Sequence, residues 1–111
     1  MKLAALALLL LTTACESKEE HQAKQDAFSA KWNGELGRTL GAEITHEKIV
    51  NHYGAKKVRK STYHGGCVTV VDNPVAKIIV QWNDCETRKS ASGVIYESRD
   101  DDSINAQEIF L

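Results

Sequence analysis

Phe28, Trp32 and Leu36 recur every four residues, with Ala23 and Ala27 beside them and polar residues between. That spacing sets the aromatic residues on one stripe of a helix and predicts that the stripe packs on a sheet of the same domain. Gly34, Gly37 and Gly41 weaken the helix, so its end is expected between Asn33 and Gly37. Upstream, Glu16 to Gln25 is dense in charge and has no apolar stripe, the pattern of a solvated spacer. Ser17 followed by Glu20 matches a capping box, which is compatible with a helical spacer. A second, shorter helix has clearer limits. Thr45 is its expected cap, Glu47 stands in its first turn, Ile44 and Ile49 occupy the staple positions, and Gly54 stops it. Ile49, Val50 and Tyr53 form its expected buried face.

From Val58 onward, β-branched residues and closely spaced turn residues replace the helical pattern. Strands are predicted at Lys57–Tyr63, Cys67–Val71, Val75–Trp82, Gly93–Ser98 and Asn105–Leu111. The turns between them are His64-Gly65-Gly66, Asp72-Asn73-Pro74, a polar loop from Lys89 to Ser92 and an acidic one from Asp100 to Ser103. Short connections between consecutive strands favour an antiparallel meander. Ile78, Val80 and Trp82 share the face expected to meet the helices, whereas Val75 and Ile79 share the other with Lys77 and Gln81, a face expected to be half exposed. The expected fold is therefore α+β, with one or two N-terminal helices on a four- or five-stranded antiparallel meander.

The first residues follow a different logic. Lys2 precedes an apolar run from Leu3 to Leu11, then the small residues Thr12, Thr13 and Ala14, and then Cys15. The run is about half of the ~20 residues that a membrane-spanning helix needs, and its layout is that of a secretory signal. With Cys15 in place, it resembles the signal of bacterial lipoproteins. That resemblance implies that residues 1–14 are removed, that Cys15 carries the lipid as the first mature residue, that 15–25 is an anchored spacer, and that 26–111 is a single domain. Glu16 stands where an aspartate would imply inner-membrane retention, so the resemblance implies the outer membrane, with the domain in the periplasm. An ordinary cleaved signal, leaving Cys15 as an unpaired thiol, is the alternative.

Removing residues 1–14 from 111 leaves 97, enough for one small domain. Lys and Arg then number 13 against 15 acidic residues, which argues against nucleic acid as a partner. Only Lys56, Lys57, Arg59 and Lys60 cluster positively, and on a strand they divide between two faces. In an exported chain, Cys67 and Cys85 are the expected disulfide, a loop closure worth about 3 kcal/mol in the chain-entropy model. A thiol and imidazole pair, or a metal site, built from His64 and Cys67 is the competing use of these residues.

Candidate chemistry is otherwise sparse. Asp100, Asp101 and Asp102 supply oxygen ligands but lack the glycine and distal glutamate of a twelve-residue calcium loop. His46 and His52, six apart, fall on different helix faces and are expected to be solvated. No glycine-flanked nucleophile serine or phosphate-cradling glycine loop is present, so neither cofactor nor metal is expected. Ser92-Gly93-Val94-Ile95-Tyr96 resembles the serine, glycine and tyrosine motif of the membrane-bound inhibitors of C-type lysozyme, which are small periplasmic lipoproteins. The resemblance implies a barrel whose loop carries Ser92 into the lysozyme cleft. The broader expectation is a non-catalytic envelope lipoprotein that binds a protein partner as an inhibitor, an exclusion or immunity factor, or an assembly accessory. Trp32, Tyr63, Ser92 and Tyr96 are its candidate contact residues. A small thiol enzyme using His64 and Cys67 is the alternative from a different class.

Overall fold

The computed structural model describes residues 17–110, so Cys15 and the signal-like segment lie outside the described residues. Helix α1 spans Lys18–Trp32, α2 Glu35–Leu40 and α3 His46–Tyr53. A short 3-10 turn, Ala55–Lys57, leads into strands β1 (Val58–Tyr63), β2 (Gly66–Asp72), β3 (Ala76–Trp82), β4 (Ala91–Ser98) and β5 (Asn105–Ile109). The five strands form one antiparallel sheet in the order β1-β2-β3-β4-β5, the expected meander.

The caps explain where the helices start. The Glu20 N–H donates to Ser17 Oγ at 3.1 Å, and the Lys48 N–H donates to Thr45 Oγ1 at 3.2 Å. In each case the hydroxyl satisfies an amide that has no partner within the helix. The segment expected as a spacer is helical from Lys18, and α1 passes through Gln25 and Asp26 without a break. Gln25 is itself docked: Asn105 N–H donates to its Oε1 at 3.1 Å, and its Nε2 donates to the Asn105 carbonyl. One side chain thereby closes a backbone position on the open edge of β5.

The aromatic stripe is shared between two helical segments. Phe28 and Trp32 lie on α1, but Asn33 and Gly34 (φ +81°) bend the chain before Leu36 enters α2. Helix formation resumes through Gly37 as far as Leu40, beyond the expected end, because Leu36 is fully buried and tertiary packing outweighs the glycine's low propensity. Trp32, Leu36 and Ile49 pack with Val71, Ile78, Val80, Trp82, Val94, Tyr96 and Ala106 in the main core. The helix-facing assignment of Ile78, Val80 and Trp82 therefore holds.

The half-exposed character expected of the opposite face holds at Lys77 and Gln81 but not at Ile79. Ile79 is 3% exposed and forms a second cluster with Val68 and Val70, against which Tyr63 and Ile95 pack. Register explains this: Val70 stands opposite Ile79, and Ile79 opposite Ile95, so three adjacent strands contribute apolar residues to one row. Val75, the other apolar residue expected on that face, is 51% exposed. Cys67 and Cys85 are bridged, with Cα atoms 5.4 Å apart, tying β2 to the loop after β3.

Candidate binding groove

A groove of about 560 Å³ lies between α1 and the turn that joins β4 to β5. Lys24, Ala27, Phe28 and Lys31 form one wall, at the spacing that places residues on a single helical face. Ser98, Asp100, Asp101 and Ile104 form the other. Ile104 is buried and Phe28 half-buried, so the floor is apolar, while lysines and aspartates face each other across the rim. The turn is rigidly built. The Ser103 N–H and hydroxyl donate to Asp101 Oδ1 at 3.0 and 2.6 Å, and the Ile104 N–H donates to the Asp101 carbonyl at 3.0 Å. These Ser103 bonds hold the Asp101 carboxyl below its ordinary pKa of 3.8, with the positive charges of His21 and Lys24 acting in the same direction. A groove with an apolar floor and both signs of charge on its rim suits an apolar side chain flanked by polar ones.

The candidate contact residues do not converge on this groove. Trp32 is 7% exposed and Tyr96 fully buried, so both belong to the core and neither is a surface anchor. Their rings lie 5.5 Å apart, and Phe28 stacks 6.0 Å from Trp32 on the groove side. Tyr96 serves as a clamp: its hydroxyl accepts the Leu36 N–H at 3.2 Å and donates to Glu108 Oε1 at 3.4 Å, while Glu108 also accepts the Gly34 N–H. Burial pushes its phenol well above the ordinary value. The bend between α1 and α2 is thus tied to β4 and β5. Ser92, implied to ride on a loop, is the second residue of β4; its Oγ donates to the Gln81 carbonyl at 3.3 Å and its carbonyl accepts the Phe110 N–H. Tyr63 is half-buried over the second cluster and packs edge-on against His64, 4.2 Å away.

The bridge consumes the thiol that the His64 and Cys67 pairing requires, and His64 itself is an exposed residue of the β1–β2 turn. Of the acidic triplet, Asp100 and Asp101 line the groove and Asp102 is exposed. Among the described residues, no group of three His, Cys, Asp or Glu side chains is placed to hold a metal ion, and no helix is long and apolar enough to cross a membrane.

Sequence reasoning missed His46, expected to be solvated. Its Nδ1 lies 2.8 Å from Thr69 Oγ1, and the same oxygen accepts the Trp82 indole N–H at 2.8 Å. Periodicity marks Thr69 as a strand residue but carries no sign that β2 brings it beneath the start of α3. Compared with family models, curated proteins and solved structures, the chain matches none.

Proposed function

We propose that the chain is a lipid-anchored, non-catalytic protein of the bacterial envelope whose domain binds a protein partner. The observation that supports this most directly is the groove, whose apolar floor and doubly charged rim suit an apolar anchor residue with charged neighbours, the usual make-up of a protein contact. The lipoprotein-like sequence at Cys15 supports the location, and α1 runs unbroken from Lys18 along the groove wall. The lysozyme-inhibitor reading draws no support from Ser92, which stands within a strand.

Site-specific photo-crosslinking in cells producing the full chain tests the binding surface. A crosslinker at Ala27, an exposed residue of the groove wall, is expected to yield one discrete protein adduct that is lost in Lys31→Glu. The same reagent at exposed Glu47 on α3 serves as the control. Identical adducts from both positions, or none from Ala27, would overturn the reading. Anchoring is tested separately: Cys15→Ser abolishes lipid attachment, whereas the wild type stays with membranes at high salt because acyl anchoring owes nothing to charge.

A further inference from the structure

The start of α3 meets the sheet at a point where positive groups gather. Lys60 stands directly opposite Thr69 in the β1–β2 register and so shares its face. His46 contacts Thr69 through Nδ1, and its own N–H donates to the Arg88 carbonyl at 3.0 Å, bringing the β3–β4 loop to the same spot. Arg88 is held in a left-handed conformation (φ +46°), with Nη1 donating to the Cys85 carbonyl at 2.9 Å. The disulfide fixes that loop to β2. Among the described residues neither Lys60 nor Arg88 has a carboxylate partner, whereas Arg38, Lys48, Arg59 and Arg99 each reach one. Lys60 is exposed and His46 and Arg88 are half-buried, so the niche opens to solvent.

The contact with Thr69 bears on what His46 offers. Thr69 is fully buried, and its oxygen already accepts from Trp82, whose indole can only donate. When its hydroxyl donates to His46 Nδ1, the imidazole proton stands on Nε2. Burial, followed by the positive charges of Lys60 and Arg88, lowers the His46 pKa below its ordinary 6.5 and keeps the ring neutral at neutral pH. In that tautomer the niche presents an ammonium, a guanidinium and a neutral N–H from three different elements.

We propose that this niche binds a phosphate-type oxyanion, held by Lys60, Arg88 and the Nε2–H of His46. A tetrahedral oxyanion has oxygens enough to meet three donors arriving from separate directions. The niche is built from α3, β1, β2 and the β3–β4 loop, so it is independent of the groove on α1.

The test is a titration of the full chain in detergent with inorganic phosphate at constant ionic strength, following the His46 ring by NMR, with His46→Gln to assign its signal among the four histidines. Glycerol 3-phosphate provides the second arm and reports whether a phosphate ester of the lipid-headgroup kind enters as well as the free ion. Saturable shifts are expected, and the bound anion should raise the His46 pKa, because a site that favours the protonated ring is favoured by it in return. Lys60→Gln should weaken binding roughly five-fold or more, while Lys77→Gln, which removes the same charge from the opposite face, should leave it unchanged. Absence of a saturable shift with either compound, or equal effects of the two lysine substitutions, would overturn the proposal.

Discussion

The two faces of the sheet reach burial by different routes. On one, the bent N-terminal helix and α3 lay Trp32, Leu36 and Ile49 over Val71, Ile78, Val80 and Tyr96. On the other, Val68, Val70 and Ile79 are buried in a cluster made of sheet residues alone, with Tyr63 and Ile95 packed against them. Charged side chains accompany this smaller cluster: Asp72 reaches Arg59 at 3.6 Å and Arg99 at 3.0 Å, joining β1, β2 and the end of β4. These pairs are half-exposed and contribute little energy, so their effect is to order the long side chains along that face. The contrast teaches that low exposure alone does not identify the core that carries stability. The helix-covered face interlocks separate elements, and the other buries neighbours within one sheet.

Truncation should separate the two faces most strongly. Leu36→Ala is expected to cost about 3–4 kcal/mol, because the bend at Asn33–Gly34 holds the helix in place and limits collapse around the void, whereas Ile79→Ala should cost about 2 kcal/mol. Equal losses in urea denaturation would break the comparison. Gly93 tests the sheet itself: a Cβ there would lie 2.6 Å from the Glu108 carbonyl oxygen, so Gly93→Ala must push β5 away from β4. A loss of about 2 kcal/mol, with faster amide exchange along β5, is the expected result. Tyr96→Phe removes the hydroxyl that joins α2 to β5 but keeps the ring, leaving the Leu36 N–H unpaired; about 1–2 kcal/mol is expected from thermal melts.

The smallest expected effect is a pH dependence confined to the helix-covered side. Since the folded pKa of His46 lies below 6.5, the unfolded chain binds its proton first as pH falls. Its contribution to stability is complete above about pH 7 and is lost as pH drops through 6.5 towards the folded value. Wild type minus His46→Gln, measured between about pH 7 and pH 5.5, should show this decline. A flat difference would mean that burial, Lys60 and Arg88 do not lower the His46 pKa in the folded chain.

The sheet was legible because its signals are local. β-Branched residues from Val58 onward, together with glycine, asparagine and proline at the turns, place strands and meander within a residue or two of where they stand. His64 and Gly65, both at positive φ between paired Tyr63 and Gly66, form the tight connection that the glycines announce. The Cys67–Cys85 bridge followed from counting, and the caps at Ser17 and Thr45 from the hydroxyl preceding a helical pattern.

What the tertiary structure alone decided lies where residues distant in sequence share one atom or one cavity. The stripe of Phe28, Trp32 and Leu36 suggests a buried helical face and Gly34 a break in it, yet only the bonds from Tyr96 and Glu108, some 60 to 74 positions away, tie the second segment to the sheet. Trp32 and Tyr96 were equally plausible as contact residues, because an aromatic side chain has the same composition in a core as at an interface. Only the partner surface opposite the ring decides between them. The groove needs α1 docked beside the acidic turn through Gln25 and Asn105, and the cationic niche needs β2, α3 and the β3–β4 loop brought together. Secondary structure and pairing were written in the chain because they depend on neighbours a few residues apart. The sites were not, because their chemistry depends on distances between elements, which packing sets.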